Sequence, residues 1–193
     1  MSSERFSEVD AWKTNMFLYN AALKEVGTKI EILNEEFLNV HNYNPIEHIK
    51  SRVKSPDSIV RKLKRNGYEV TIENMVKHLN DIAGIRVICS FTSDIYMIAE
   101  MISNQSDITV IQIKDYIANP KTNMYQSLHT TVFGLDGYLF EIQIRTYEMD
   151  EVAENGIASH WAYKENGGSQ STANLQSTTE QKLQFFKSII DLS

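Results

Sequence analysis

The chain has 193 residues, of which 42% are hydrophobic, and a formal net charge of −6. That is the length of one ordinary domain with enough apolar content for a buried core, which excludes a fibre or a disordered chain. The acidic balance argues against a general nucleic-acid binder, and no apolar run approaches the roughly 20 residues that span a bilayer. The stretch from Met1 to Lys13 is polar and acidic, without a signal-peptide core. The single cysteine, Cys89, sits in the apolar run from Ile85 and reads as a buried thiol in a reducing compartment. We therefore expect a cytoplasmic protein with no membrane partner.

In chain order, Leu18, Ala22, Val26, Ile30, Leu33 and Phe37 step by three or four and form one apolar helical stripe. Next comes a concentration of cations: Lys50, Arg52, Lys54, Arg61, Lys62, Lys64 and Arg65, with Asp57 the one acid among them. An acidic protein that gathers cations in one segment is set to meet something anionic there, compact phosphates being the simplest candidate; the alternative is a solvated helix face. Ser55-Pro56-Asp57 predicts a helix start, with Ser55 as cap and Pro56 in the first turn, and the helix stops near Gly67. A short helix is expected over Ile72 to Leu79.

The middle of the chain alternates. Ile82 to Phe91 predicts a buried strand. Ser93 to Ser103 predicts a helix with Ile95, Ile98, Ala99 and Ile102 inward, and Ile108 to Ile117 a second strand. Ser127 to Gly134 and Tyr138 to Arg145 read as an antiparallel pair joined at Leu135-Asp136-Gly137, where Asp-Gly is a hairpin signal. Met149 to Trp161 reads as a helix, Asn166 to Thr179 as a polar loop, and Leu183, Phe186 and Ile190 as the apolar face of a short last helix. The expected class is α+β, a mixed sheet with helices packed on it.

Three clusters carry chemistry. In Phe140-Glu141-Ile142-Gln143-Ile144-Arg145 the two-residue period puts a carboxylate, an amide and a guanidinium on one face. A solvent-exposed sheet face would explain such a row equally well. The second cluster is Lys114-Asp115 followed by Asn119 to His129. If a strand begins near Tyr125, then Tyr125, Ser127 and His129 share a face, offering a flat ring for a nucleobase and cations for phosphate. The alternative is a core tyrosine and a histidine satisfied by the backbone. The third runs from His78 to Arg86, where Asp81 opens an apolar strand and Arg86 follows, a pairing that suits a hard cation beside a phosphate. Asp81 and Arg86 differ in parity, so both serve one site only if the strand starts after Asp81. There is no Gly-x-x-x-x-Gly-Lys-Ser/Thr, no Gly-x-Gly-x-x-Gly, no His-Asp dipeptide and no cysteine pair, so neither a P-loop nor a zinc site is expected.

Together these segments resemble the synthetase domain of the RelA/SpoT family, in particular its small single-domain alarmone synthetases. The matching stretches are Arg52 to Ser55, Asp81 to Val87, Lys114 to Ile117, Pro120 to Val132, Glu141 to Thr146, and Ala153 to Ala158 with His160-Trp161. The resemblance implies a mixed, largely antiparallel five-stranded sheet flanked by helices, in a nucleotidyltransferase-like fold. It implies N-terminal helices over 1–44, a synthetase domain over 45–165, a flexible loop over 166–179 and a C-terminal helix over 180–193. The implied reaction moves pyrophosphate from ATP to the ribose 3′-hydroxyl of GDP or GTP and releases AMP, making a stringent-response alarmone. Asp81 and Glu141 would hold Mg²⁺, with Glu141 also acting as general base. Arg52, Lys54, Lys62, Arg65 and Arg86 would surround ATP. Tyr125 would stack on guanine, and Lys114, Lys121, Asn123, His129 and Gln143 would hold the acceptor.

The resemblance leaves some matters open. Gln112 stands where many long members have arginine, so GDP and GTP both remain as acceptors. Without a His-Asp pair no hydrolase activity is expected. Small synthetases commonly form tetramers through longer C-terminal helices, so a homo-oligomer stays open. The competing readings are a toxin-type synthetase that modifies the 3′ end of tRNA or makes another alarmone, with an antitoxin partner, and a catalytically silent nucleotide-binding module.

Overall fold

A computed structural model describes residues 2–134 and 137–166 of the chain. By its contacts the chain divides into two compact units, residues 1–154 and 155–193. The first unit opens with one continuous helix, α1 (Ser2–His41), where the sequence suggested more than one. Its buried residues are Tyr19, Ala22, Leu23, Val26 and Ile30; of the predicted stripe, Ala22, Val26 and Ile30 are buried and Leu18, Leu33 and Phe37 half-buried. Phe37 lies near the exposed end, packed on His41 at 4.2 Å between ring centroids.

Five strands follow, interleaved with helices: β1 (Ile46–Val53), α2 (Pro56–Arg65), α3 (Ile72–His78), β2 (Ala83–Cys89), α4 (Thr92–Ser103), β3 (Thr109–Asp115), β4 (Leu128–Phe133) and β5 (Leu139–Thr146). The sheet order is β1-β2-β5-β4-β3. Three pairings are antiparallel and the central one, β2 with β5, is parallel. This is the mixed, largely antiparallel sheet that the resemblance implied. β1 was not foreseen as a strand. It is an edge strand with only Ile46 buried, so its alternation is blurred. The β4–β5 hairpin forms as expected, and Gly137 adopts φ 73°, the left-handed conformation that glycine takes without strain. Leu135 and Asp136 lie outside the described residues.

The period of two gives the sheet two unlike faces. Ile85 and Val87, Phe140, Ile142 and Ile144, and Val132 turn to one side. There they join Ile95, Ile98 and Ile102 of α4 and the buried face of α1 in one apolar cluster. Each of these buried aliphatic side chains contributes on the order of 1.5–3 kcal/mol. A one-residue slip would carry the whole set to the other face, so the core fixes the register and hence the opposite face.

Beyond β5, α5 (Tyr147–Asn166) starts in the first unit and is interrupted at Gly156, with φ 75° and ψ 166°. The predicted loop beyond Asn166 and the predicted C-terminal helix lie outside the described residues.

Candidate active site

The face opposite the core carries the polar row. Arg52 pairs across with Gly84, and Gly84 with Glu141; Lys50 pairs with Arg86, and Arg86 with Gln143. Gln143 pairs with His129, and His129 with Lys114. Strand pairing thus lines up residues from all five strands, drawn from distant parts of the chain, on one surface. Gly84 has a packing reason to lack a side chain: a Cβ there would stand 3.3 Å from the Glu141 carbonyl oxygen.

Asp81 lies two residues before the start of β2, outside the strand, as its parity relative to Arg86 required. Its Oδ2 receives Lys54 Nζ at 2.6 Å and Lys62 Nζ at 2.7 Å. Lys62 reaches it because Ile59 and Leu63 anchor the buried side of α2, while Arg61, Lys64 and Arg65 point outward and exposed. Burial would push the Asp81 carboxyl up, but the hydrogen bonds and charges of Lys54 and Lys62 outweigh it and hold it below the usual aspartate range. Its other oxygen, Oδ1, is buried and has no hydrogen-bond partner.

Glu141 receives Gln143 Nε2 at 2.6 Å and lies 3.0 Å from His129 Nδ1. Burial raises its pKa, and the His129 and Gln143 hydrogen bonds together with the His129 charge reverse the sign. The Asp81 charge works against ionisation of Glu141, so the two carboxylates share one electrostatic neighbourhood.

From His129 the network continues. Its Nε2 lies 2.7 Å from Tyr125 Oη, which also accepts from Arg145 Nη1 at 3.4 Å. Tyr125 precedes β4 in an irregular segment, yet still shares a site with His129. His129 is therefore not satisfied by the backbone: both of its ring nitrogens meet side-chain partners. Lys121 Nζ stands over the rings of Tyr116 and Tyr125, 4.3 and 4.9 Å from their centroids. Asn123 is exposed and its Oδ1 accepts the Tyr125 N–H, shaping the turn beside Met124, whose φ is 65°. Lys114 is exposed on β3, and Gln112 with it.

The exposed-sheet reading of the Glu141-Gln143-Arg145 row fails at Arg145, which is only 1% exposed. Arg145 forks Nε (2.9 Å) and Nη2 onto Asp150 Oδ1, with Glu154 Oε1 3.4 Å from Nη2. Arg86 reaches the same two acids, 2.8 Å from Glu154 and 3.3 Å from Asp150. Arg145 was read from the sequence only as one member of the polar row, and Asp150, Glu154 and Tyr116 were given no role; the helical spacing of Asp150 and Glu154 just after a strand arginine was the available signal.

A cavity of about 290 Å³ opens beside this network, lined by Lys50, Arg52, Gly84, Arg86, Gln143 and Glu154 among others. Of the predicted site residues, Asp81 with Lys54 and Lys62, and Glu141 with His129, Gln143 and Tyr125, come together through side-chain contacts. Arg52, Arg86 and Gln143 line the cavity; Arg65, Lys114 and Asn123 are exposed and do not line it. Among the described residues no three His, Cys, Asp or Glu side chains converge on a metal position. Two carboxylates, one with an orphaned oxygen, are still a donor set that fits Mg²⁺, which takes few protein ligands and fills its shell with water and phosphate oxygens. Cations around a cavity, a pair of carboxylates and an aromatic ring suit a phosphorylated nucleotide.

The comparisons agree. The family described as "Region found in RelA / SpoT proteins" matches residues 51–168, and the chain belongs to that family. It is 44% identical over 149 residues to the GTP pyrophosphokinase YwaC of Bacillus subtilis, covering 74% of this chain and 71% of that protein. The structure of small alarmone synthetase 2 from Bacillus subtilis matches with a TM-score of 0.66 and 36% identity, over 94% of this chain and 97% of that one. Small alarmone synthetase 1 from the same organism, bound to its product pppGpp, matches with a TM-score of 0.67 and 27% identity, over 95% and 96%. Some curated relatives are much longer, and the chain spans only 17–23% of their length.

Proposed function

We propose that this chain is a (p)ppGpp synthetase that transfers pyrophosphate from ATP to the ribose 3′-hydroxyl of GDP or GTP and releases AMP. The observation that carries this reading is the division of one sheet face around two electrostatically coupled carboxylates. Arg52, Lys54, Lys62 and Arg86 lie on the β1–β2 side, and Tyr125, His129 and Gln143 on the β4–β5 side. A family whose solved members include one bound to pppGpp supports the same assignment.

In this reading Asp81 and Glu141 hold Mg²⁺, which when bound offsets charge on the polyphosphate. The cavity cations Arg52 and Arg86, with Lys54, Lys62 and Arg65, bind the ATP phosphates and flank its base. Phosphoryl-type transfer needs positioning and charge neutralisation more than covalent help, and this is what such a cluster supplies. Glu141 is ionised at neutral pH, the state required to accept the 3′-hydroxyl proton, and His129 and Gln143 orient its two oxygens. Tyr125 offers its ring to guanine, with Lys114, Lys121 and Asn123 holding the acceptor's remaining groups. No helix among the described residues is long and apolar enough to cross a membrane, and we place the reaction in the cytoplasm.

The test is thin-layer chromatography of purified protein with γ-³²P-ATP and Mg²⁺, offering GDP, GTP or bulk tRNA in parallel, beside a Glu141→Gln control. Label moves to GDP or GTP and is lost in the control. Label on tRNA alone would transfer the chain to the tRNA-modifying class, and label that stays on ATP with every acceptor would make it a silent binding module.

A further inference from the structure

Among the described residues, Glu154 is the sole acid lining the 290 Å³ cavity, where Lys50, Arg52 and Arg86 supply the cations. Glu154 and its neighbour Asp150 both touch Arg86 and Arg145, Asp150 standing 3.3 Å from Arg86, but they differ in burial and in which arginine lies nearer. Asp150 is buried and bound to the buried Arg145 through two guanidinium nitrogens. Glu154 has a side chain 52% exposed, and its shortest contact is Arg86, at 2.8 Å; Arg145 is farther, at 3.4 Å. Asp150 is thus tied to the frame of the sheet, while Glu154 is a solvent-facing counter-ion on a cavity arginine. A polyphosphate entering this cavity meets a guanidinium already paired with a carboxylate, and a negative charge beside its own.

We infer that Glu154 is a positioning residue that sets the affinity for the donor nucleotide by competing with its phosphates for Arg86. With the cavity empty, Glu154 holds the guanidinium extended toward the cavity. When the polyphosphate arrives, Arg86 exchanges a weak, half-exposed pair for charge-assisted bonds to phosphate. Asp150 stays on Arg145, so the exchange does not disturb the strand face beneath. The inference rests on the functional reading above, in which the cavity receives ATP.

The experiment is isothermal titration of the full chain with α,β-methylene-ATP and Mg²⁺, comparing wild type, Glu154→Gln and Glu154→Asp, with steady-state kinetics on each. Glu154→Gln keeps the size and removes the charge. It binds the analogue roughly two- to fivefold tighter, the range that an exposed ion pair is worth, and KM for ATP falls by a similar factor while kcat changes less. Glu154→Asp keeps the competing charge and stays close to wild type. Unchanged or weaker binding by Glu154→Gln overturns the inference, since a carboxylate that merely braces the fold or helps the ligand predicts loss. A Glu154→Gln chain that fails to fold overturns it too, because it makes the residue structural. Wild type that does not bind the analogue sinks the functional reading along with the inference, whereas binding by wild type without tightening in the variant sinks the inference alone.

Discussion

Replacing Asp150 by alanine tests whether α5 braces the polar sheet face. The substitution leaves Arg145, 1% exposed, without the carboxylate that receives its Nε and Nη2. Deleting one partner of a buried ion pair costs about 3–5 kcal/mol, because the remaining charge keeps its desolvation penalty and loses its compensation. Glu154 remains 3.4 Å from Nη2 but is half exposed, so it offsets a little and the lower end applies, about 3 kcal/mol. For a chain of this size 1 kcal/mol moves Tm by roughly 2–4 °C, so Asp150→Ala melts about 6–12 °C lower. Circular dichroism melts at neutral pH measure it. The companion variant, Arg145→Met with Asp150→Leu, removes both charges and recovers most of the loss, since a pair replaced by apolar side chains leaves nothing unpaired. A drop below about 2 °C for Asp150→Ala, or a double variant as unstable as the single one, would show that Arg145 does not depend on Asp150.

Two further outcomes follow from the same geometry. Tyr125→Ala raises KM for the acceptor by the worth of one base–aromatic stack, about 1–3 kcal/mol or roughly 5- to 150-fold. Tyr125→Phe keeps the ring and loses only the hydroxyl between His129 and Arg145, so its effect on KM is much smaller; equal effects in steady-state kinetics would contradict a stacking role. The carboxyls of Asp81 and Glu141 are held below their usual ranges, so their charged forms stabilise the fold above the unfolded pKa values of about 4. That contribution is lost as pH falls through the lower, folded values. Urea midpoints measured from about pH 6 down to about pH 2 should therefore fall less steeply in Asp81→Asn and Glu141→Gln than in wild type.

Much of this was legible in the chain because the governing signals are short-range. The row Glu141, Gln143 and Arg145 shows its shared face by period alone, and Ser55-Pro56 caps α2 as read, with Ser55 accepting the Ser58 N–H. Periodicity could not show what stands over a face. For Arg145 an exposed face and a site face fitted the sequence equally well, and Asp150, from a different element, decides between them by burying it. β1 escaped because an exposed edge strand has little reason to alternate, and the cations there drew attention as a charge cluster rather than as a strand. Which cation of the basic helix matters was also undecidable from composition; burial of Ile59 and Leu63 rotates Lys62, and not Arg65, onto Asp81. Whole-sheet facts such as Gly84 facing Glu141 depend on pairing between strands far apart in sequence, which no local pattern encodes.

That central pairing has a consequence for when the protein can act during its own synthesis. β1 with β2, and β4 with β5, are antiparallel neighbours that close over relatively short stretches of chain. The parallel union of β2 with β5 joins Gly84 to Glu141 across everything between them. Contacts of such long sequence separation form slowly, because loop closure must come before the reward. Asp81 and Glu141 sit on opposite sides of that seam. A growing or partly unfolded chain can therefore possess either half of the face without the other, and the two carboxylates meet only when β2 and β5, the paired strands farthest apart in the chain, have joined.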